Sequence, residues 1–297
     1  MMEKKKRKGF SGETLYKIFI YVVLAALALS ILVPVAWVFM ASVKQNSEFY
    51  GDPWSLPLGV HLQNFADAWG EARMGDYMLN SVIVTALGLA LLLVVALPAA
   101  YVLSRFKFKT RKFFNVCFMG GLFINVNYIV VPIFLMFVNG DRFLTQTVGS
   151  GFFVNNLFMV ALVYASTALP FTIYLLSGYF STLPVAYEEA AYVDGASYFR
   201  TMTRIIMPMA KPSIITVILF NFLSFWNEYI ISMTLLTDPG SKTLPVGLMN
   251  LMKSQNAAAQ YGQMYAGLVL VMLPTLILYI CVQKKLTQGM TLGGLKG

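Results

Sequence analysis

Residues 189–212 read Glu-Ala-Ala-Tyr-Val-Asp-Gly-Ala-Ser-Tyr-Phe-Arg-Thr-Met-Thr-Arg-Ile-Ile-Met-Pro-Met-Ala-Lys-Pro, a polar and interrupted stretch in a strongly apolar chain. Glu188 and Glu189 lie near the N-terminal end of the first predicted helix, where the helix dipole favours negative charge. Asp194-Gly195 is a turn pair, because glycine adopts left-handed dihedral angles without steric cost. A lipid bilayer does not require such a polar stretch. The stretch therefore predicts a helical hairpin that docks on a soluble partner.

A second short helix is predicted from about residue 196 to 207. At 100° per residue, five apolar side chains share one arc of this helix, while Arg200 and Arg204 share the other. Pro208 marks its end. The apolar arc consists of Tyr198, Phe199, Met202, Ile205 and Ile206.

This segment resembles the EAA loop of ABC importer permeases, in which Glu-Ala-Ala is followed by a glycine and then by Ile-x-Leu-Pro at fixed spacing. Met207 replaces the usual leucine, and Met202 stands where an aromatic residue is common. The resemblance implies a coupling element that sits in a cleft of a cytoplasmic ATPase subunit. The implied coupling residues are Glu188, Glu189, Ala190, Ala191, Asp194, Gly195, Ala196, Phe199, Ile205 and Pro208.

The resemblance also assigns roles within the loop. Glu189 would anchor it electrostatically and Gly195 would permit the tight turn. The apolar side chains of Phe199, Met202 and Ile206 would pack the loop back on the permease. The alternative is an amphipathic helix that lies on the membrane surface, but this does not explain the spacing of the motif.

Of the 297 residues, 58% are hydrophobic and only 12% are charged. A soluble domain carries about a quarter charged residues, so the composition indicates an integral membrane protein. Six apolar runs are long enough to cross a bilayer, and none has the alternating pattern of a membrane barrel, so we predict an all-α protein. One domain, 1–297, is predicted, with spans at about 15–40, 77–104, 113–138, 152–180, 212–236 and 264–282, a coupling loop at 181–211 and a tail at 283–297.

The basic residues of the short connecting segments predict the orientation. Segments 1–17, 105–112, 181–211 and 283–297 hold 17 of the 22 lysines and arginines. Both termini are therefore expected in the cytoplasm, in a multi-pass protein of the cytoplasmic (inner) membrane whose loop 105–112 contacts lipid headgroups. The net charge of +9 is a topology signal, since a nucleic-acid footprint would need a basic soluble domain.

No phosphate-binding loop of the Gly-x-x-x-x-Gly-Lys-Ser/Thr type occurs, so any ATP hydrolysis would lie on another polypeptide. The single histidine, His61, cannot form a metal site alone, and two isolated cysteines do not complete a catalytic set. We therefore predict a non-catalytic subunit with no metal and no cofactor of its own. ATP and Mg²⁺ would be bound by partner ATPase subunits.

Glu228 is the only acid well inside a predicted span, and an intramembrane carboxylate is a functional candidate by default. It could bind a polar substrate, gate the path, or form a structural link to a neighbouring helix. Amide and phenol groups can hydrogen-bond sugar hydroxyls, but could equally join helices. Residues 221, 224 and 228 would share one helix face. The substrate-path candidates are Asn125, Asn127, Tyr128, Asn221, Ser224, Asn227 and Glu228.

The C-terminal residues 289–297, Gly-Met-Thr-Leu-Gly-Gly-Leu-Lys-Gly, resemble the tail of maltose-type carbohydrate importer permeases, specifically the smaller of the two partner subunits. Residues 226–228 and 243–248 resemble the same group. The resemblance implies the type I ABC importer permease (MetI-like) fold. It also implies a tail that contacts the ATPase subunits through Gly289, Thr291, Gly293 and Lys296.

In that family the last outside loop enters the open sugar-binding protein and helps to displace the sugar. The matching stretch is 250–261, which is small and polar enough to enter a sugar cleft. It could equally be an ordinary loop that only touches the surface of the binding protein. The candidate residues are Asn250, Lys253, Gln255, Asn256, Gln260 and Tyr261.

Residues and resemblance together predict the transmembrane permease subunit of an ATP-binding-cassette importer for a sugar or oligosaccharide. The implied partners are a second homologous permease, two ATPase subunits, an extracytoplasmic binding protein and membrane lipid, with no nucleic acid. The alternatives are an ion-coupled secondary transporter, a membrane-embedded enzyme, and an ABC permease for a polyol or glycerol phosphate. The lack of a visible internal repeat and the single buried acid count against ion coupling.

Overall fold

The computed structural model describes residues 12–70, 72–258 and 260–294, with side chains except at positions 14, 255–258 and 284–294. In this part of the chain every regular element is helical, as predicted. The long helices are α1 (Gly12–Ala41), α3 (Met74–Arg105), α5 (Val126–Val148), α6 (Leu157–Thr182), α10 (Lys211–Trp226) and α13 (Tyr261–Gly294). The shorter helices are α2 (Gln63–Trp69), α4 (Arg111–Gly121), α7 (Ala186–Val193), α8 (Tyr198–Thr201), α9 (Met207–Met209), α11 (Ile230–Leu235) and α12 (Leu244–Ala258).

Five of the described helices are long and apolar enough to cross a membrane. A sixth crossing is possible if Tyr198–Met209 and Lys211–Trp226, which are bent by 78° relative to each other, form one broken span. The five unbroken spans are Leu15–Ala41, Met74–Arg105, Val126–Val148, Leu157–Thr182 and Tyr261–Gln283.

The apolar run at 113–138, predicted as one span, is divided into α4 and α5. Gly120 and Gly121 weaken the helix where α4 ends, and Asn125 starts α5 by accepting a hydrogen bond from the backbone N–H of Asn127 at 2.9 Å. At 1.5 Å per residue, the 11 residues of α4 extend only about 16 Å, which is too short to cross. The third crossing is therefore α5, about ten residues later than predicted.

The fifth predicted run, 212–236, is also divided. α10 ends at Trp226, and α11 begins at Ile230 after a short turn that contains Glu228. The last helix is longer than predicted, since α13 starts at Tyr261 and continues to Gly294, beyond the predicted end of the sixth span at 282.

The core of the bundle is formed by α3 packed on α6, with α5, α10 and α11 alongside. Small residues permit this packing, as membrane helices require. Gly88 of α3 is one such position, because a Cβ there would lie 3.2 Å from the ring of Phe225 and 3.5 Å from the carbonyl oxygen of Ala161. A second apolar cluster joins α3, α10, α12 and α13 around Trp226.

Candidate functional site

The EAA hairpin, residues 184–209, consists of α7, a turn, and the run from α8 to α9. Gly195 makes the turn with φ of +75°, and among the described residues no atom beyond its two chain neighbours lies within 4 Å of where its Cβ would be. The backbone angle, rather than crowding, therefore favours glycine at this position. The backbone N–H of Ala196 donates to the carbonyl of Ala191 at 2.9 Å, and the Ser197 hydroxyl accepts from the N–H of Arg200 at 3.4 Å.

The apolar residues of the EAA hairpin face in two directions. Ala191, Met202 and Ile206 are buried against the chain, as expected for the latter two. The packing expected of Phe199 is wrong, because this side chain is 72% exposed. Phe199 lies in α8, before the π-helical turn Met202–Ile206, and the residue that α8 buries is Thr201.

The outward side of the EAA hairpin is an exposed apolar surface. Its two most exposed members are Val193, at 88%, and Phe199. An uncovered group of large apolar side chains marks an interaction surface. We call it the hairpin face, and it consists of Val185, Tyr187, Tyr192, Val193, Tyr198 and Phe199.

Glu188, rather than Glu189, is anchored within the chain. The Oε1 atom of Glu188 lies 3.2 Å from Nε of Arg105, and the two side chains are 9% and 8% exposed. The N–H is not aligned for a hydrogen bond, so this contact is a buried ion pair. Glu189 is exposed and therefore accessible to a partner. Sequence reasoning assigned Arg105 only to the basic loop, since no local signal connects it with a residue 83 positions away.

The remaining hairpin candidates lie at or near the surface. Ala190, Asp194 and Pro208 are exposed, whereas Ala196 and Ile205 are half-buried. Ile205 packs against the core of the bundle. The three exposed residues lie in α7, at the turn and in α9, respectively.

A cavity of about 940 Å³ lies between α5, α6 and α10. Its walls are mostly apolar, which is typical of small-molecule sites that use a few polar groups for orientation. Asn221, Ser224 and Glu228, grouped by helical spacing in the sequence, all line it. The sequence did not indicate Tyr164, a cavity-lining residue from α6 that contacts Glu228.

The Glu228 carboxylate accepts three hydrogen bonds from protein groups. The hydroxyl of Tyr164 donates to Oε2 at 2.8 Å, and the backbone N–H groups of Ile231 and Ser232 donate to Oε1 and Oε2 at 2.6 and 3.0 Å. The Tyr164 hydroxyl also lies 2.5 Å from that of Ser232. Of the three roles considered from sequence, this geometry favours the structural link, because Glu228 holds α6 to the start of α11.

Asn221 is buried beside the cavity and uses its amide group to join helices. The Nδ2 atom donates to the Thr172 hydroxyl of α6 at 3.0 Å and to the Val217 carbonyl at 2.8 Å. Its carbonyl oxygen receives no hydrogen bond from the described residues. Ser224 is exposed on the cavity wall, so it is the candidate most accessible to a solute.

The other four substrate-path candidates do not line this cavity. Asn125, Asn127 and Tyr128 were predicted in the middle of a span, but they are exposed at the start of α5, where Asn125 is the helix cap. Asn227 ends α10 and donates to the carbonyl of Leu223 at 2.8 Å. Local capping explains Asn125 and Asn227, because their side chains satisfy backbone groups that a helix end leaves unpaired.

The stretch 250–261, predicted as a loop, is helical as far as Ala258. Asn250, Lys253 and Gln260 are exposed, while the side chains of Gln255 and Asn256 lie outside the described part. Tyr261 packs on the rings of Phe49 and Tyr50, with centroids 5.6 and 6.5 Å away. The candidate segment is thus held against the loop that follows α1.

The loop after α1 is itself held by polar contacts. The buried Lys44 donates from Nζ to the carbonyl of Pro53 at 2.8 Å. The backbone N–H groups of Leu58 and Gln45 donate to the Glu48 carboxylate at 2.9 and 2.8 Å and hold the pKa of this carboxyl below its usual range. These contacts give the aromatic packing of Tyr261 a fixed support.

The tail candidates are only partly described. Gly289, Thr291 and Gly293 fall within α13, where the structure describes only the backbone, and Lys296 lies outside the described residues.

Comparison with known proteins places these features in context. Residues 92–291 match the family model of the binding-protein-dependent transport system inner membrane component. The chain is 33% identical to the probable ABC transporter permease protein YurM of Bacillus subtilis, over 99% of this chain and 92% of that protein. It is 32% identical to the diacetylchitobiose uptake system permease protein NgcG of Streptomyces coelicolor, over 98% of this chain and 92% of that protein.

The fold also resembles a solved structure. A chain in the crystal structure of a bacterial ABC transporter involved in the import of the acidic polysaccharide alginate superposes with a TM-score of 0.76. The two chains are 23% identical, and the match covers 94% of this chain and 99% of the other.

Proposed function

The chain belongs to the family of binding-protein-dependent transport system inner membrane components, and from this membership we propose that it admits an oligosaccharide as the permease subunit of an ATP-binding-cassette importer. The family match confirms the predicted class of transporter permease subunit. A binding protein that delivers the solute follows from the same membership. The proposal adds the solute class, the remaining partners and the roles of individual residues.

The hairpin face is the observation that carries the proposal. Its aromatic and aliphatic side chains remain between 39% and 88% exposed, and Gly195 gives the hairpin its tight turn. A surface of this kind fits a cleft in a soluble partner. That partner would be one of two ATPase subunits, which bind ATP and Mg²⁺, while a second homologous permease completes the path.

The transport cycle then follows from the bend between the EAA hairpin and α10. Closure of the ATPase dimer on ATP would move the hairpin, and the spans would change from facing the cytoplasm to facing outward as rigid bodies. Tyr198–Met209 and Lys211–Trp226 are bent by 78° relative to each other. A movement of the hairpin along its own axis would therefore push α10 sideways.

An oligosaccharide suits the cavity for two reasons. Its volume of about 940 Å³ can hold several sugar rings, and its wall combines the Ser224 hydroxyl and the carbonyl oxygen of the Asn221 side chain with aromatic rings. Aromatic faces stack on the apolar faces of sugars, and hydroxyl and amide groups hydrogen-bond their edges. NgcG, one of the relatives, is a permease for diacetylchitobiose, which is itself an oligosaccharide derivative.

The membrane placement also forms part of the proposal. The chain would lie in the cytoplasmic membrane with both termini and the EAA hairpin on the cytoplasmic side, because the connecting segments there carry most of the lysines and arginines. The end of α13 and the residues that follow, including Gly289 and Lys296, would then reach the ATPase subunits.

The decisive experiment is purification of the complex from native membranes, followed by reconstitution in vesicles. We expect ATPase subunits to co-purify and a panel of oligosaccharides, each supplied with the binding protein, to stimulate ATP hydrolysis selectively. Uptake that follows a proton or sodium gradient without ATP would instead support an ion-coupled transporter. Stimulation by a polyol or glycerol phosphate alone would contradict the proposed solute class.

Ser224→Trp is expected to reduce transport several-fold, because an indole would occupy part of the cavity beside Glu228. Uptake of labelled oligosaccharide into vesicles measures the effect, with hydrolysis in the absence of solute as the reference. Ser224→Ala removes the hydroxyl without adding volume and is the matched control, expected to keep most of the uptake. Equal uptake by the tryptophan variant and the wild type would show that the cavity is not on the path.

Asn250→Ala combined with Lys253→Ala is expected to weaken docking of the binding protein several-fold. Both side chains are exposed on α12, and alanine preserves the helix, so only the polar surface changes. The concentration of loaded binding protein that gives half-maximal ATP hydrolysis measures the effect. Arg142→Ala, which removes an exposed cation from α5, is the control, and an unchanged half-maximal concentration in the double variant would remove this surface from the docking site.

A further inference from the structure

The end of α3 and the EAA hairpin meet in one mixed cluster of aromatic and charged side chains. The ring of Phe106 lies 5.4 Å from that of Tyr198, which in turn lies 5.1 Å from Tyr192. The ring of Tyr101 lies 5.6 Å from Phe106. We call this group the α3–hairpin latch, and it consists of Tyr101, Arg105, Phe106, Glu188, Tyr192 and Tyr198.

Arg105 is at the centre of the α3–hairpin latch because it holds the hairpin at two points. Its Nη2 atom donates to the backbone carbonyl of Leu183 at 2.7 Å, just before α7, and its Nε atom lies 3.2 Å from the carboxylate of Glu188 within α7. A planar guanidinium can make both contacts at once, which fixes the direction as well as the distance of the hairpin.

The burial of the Arg105–Glu188 pair indicates a role in geometry more than in stability. Removing two charges from water is costly, so a buried ion pair often contributes little net stability compared with apolar side chains of the same size. Among the described residues, it is the only ion pair that joins α7 to a long helix, since the other two connect near neighbours within Glu13–Lys17 and Arg73–Asp76.

A continuous path of packed helices leads from this pair to the cavity. α3 packs on α6 more extensively than any other two helices do in the described part of the chain. α6 in turn supplies Tyr164 and much of the cavity wall. A displacement of α7 that is transmitted to Arg105 therefore moves the helix pair that shapes the cavity.

We propose that Arg105 and Glu188 are positioning residues that transmit movement of the EAA hairpin to α3, in addition to the direct connection from the hairpin into α10. This inference rests on the proposed function for its consequence in transport. The latch itself is a property of this chain alone, so its geometry can be tested separately.

The transport test uses the complete complex with Arg105→Gln and Glu188→Gln combined, which removes both charges together and leaves no unpaired buried charge. We expect the amount of oligosaccharide imported per ATP hydrolysed to fall by about fivefold or more, a typical allosteric coupling. Basal hydrolysis and recovery of the ATPase subunits are measured on the same preparations, so that the ratio is compared at equal amounts of assembled complex. A pair that serves only stability would lower the melting temperature and leave the coupling ratio unchanged, and that outcome overturns the proposal.

Two further variants sharpen the transport test. Arg105→Lys keeps the charge, and it should retain more of the coupling ratio than the double variant does. Arg73→Gln with Asp76→Asn neutralises an exposed ion pair and is the matched control, expected to leave the ratio unchanged. A control that loses coupling to the same extent as the double variant would also overturn the proposal, because neutralising any pair would then suffice.

The geometric test does not depend on transport. Spin labels are placed on Phe108→Cys and Val193→Cys, both exposed positions, after the free cysteines Cys117 and Cys281 are replaced by serine. We expect one narrow distance distribution for the full chain in nanodiscs and a broad one when Arg105 and Glu188 are both glutamine. An equally narrow distribution in both proteins would overturn the latch, even if an ATPase is bound. If the distribution broadens in the double variant, but no ATPase subunit co-purifies with the wild-type chain from native membranes, the latch is supported and the proposed function is contradicted.

Discussion

Gly195→Asp is expected to reduce oligosaccharide import at least about tenfold while the chain still enters the membrane, a loss that corresponds to about 1.4 kcal/mol or more of coupling. The substitution acts in two ways. It forces a residue with a Cβ into φ of +75°, which disfavours the tight turn, and it places a second carboxylate beside Asp194 next to the apolar hairpin face. ATP hydrolysis should then no longer respond to the loaded binding protein. Import and hydrolysis, measured on the same vesicles, give the ratio.

Gly149→Asp is the matched control for Gly195→Asp. Gly149 has φ of +86°, and apart from its chain neighbours no described residue has an atom within 4 Å of its Cβ position. It ends α5, away from the EAA hairpin. The two variants therefore share the chemical change and the backbone strain, and differ in location. Import by Gly195→Asp at the level of the Gly149 variant would show that the hairpin does not couple hydrolysis to transport.

Glu228→Ala is expected to destabilise the bundle by about 2–4 kcal/mol, since each buried donor left without its acceptor costs about 1–3 kcal/mol. The Tyr164 hydroxyl and the backbone N–H groups of Ile231 and Ser232 would lose the carboxylate that they share. A clear fall in the melting temperature of the detergent-solubilised chain, in the absence of any sugar, is the expected result. Import should fall with the amount of folded complex.

The neighbouring Asn227→Ala variant controls for the loss of a polar side chain at this position. Asn227 is exposed, and its side chain donates to the Leu223 carbonyl of its own helix, so its replacement should change the melting temperature little. If Glu228→Ala keeps the wild-type melting temperature but loses import, the carboxylate contacts the solute and the structural assignment is wrong. Glu228→Gln, which retains one acceptor oxygen, should fall between the wild type and Glu228→Ala in stability.

Several features were predictable from the chain as a one-dimensional pattern. Long apolar runs predicted an all-helical membrane protein, and the Glu-Ala-Ala and glycine spacing predicted the permease family that the comparisons confirm. Helical spacing also grouped Asn221, Ser224 and Glu228, which line one cavity although α10 ends at Trp226. The tight turn at Gly195 follows from the residue type alone, because only glycine adopts its φ without strain.

Other features depended on contacts between distant residues or on local departures from ideal helix geometry. Apolar composition alone did not reveal the break between α4 and α5, where two glycines and the Asn125 cap decide the helix ends. A regular helical projection placed Phe199 on the packed arc, whereas the packing of the hairpin buries Thr201 in α8 and leaves Phe199 exposed. The role of Tyr164 arises only when α6 is packed against the turn that contains Glu228.

Membrane class, helix type and family were thus encoded in composition and spacing, because hydrophobicity, helical period and turn preference act over a few residues. The identity of the acid anchored within the hairpin was decided by tertiary packing. Glu188 and Glu189 are adjacent and chemically identical, and only the position of Arg105 at the end of α3 distinguishes them. A buried charge needs a partner that reaches it through the folded bundle, and that partner lies 83 residues earlier in the chain.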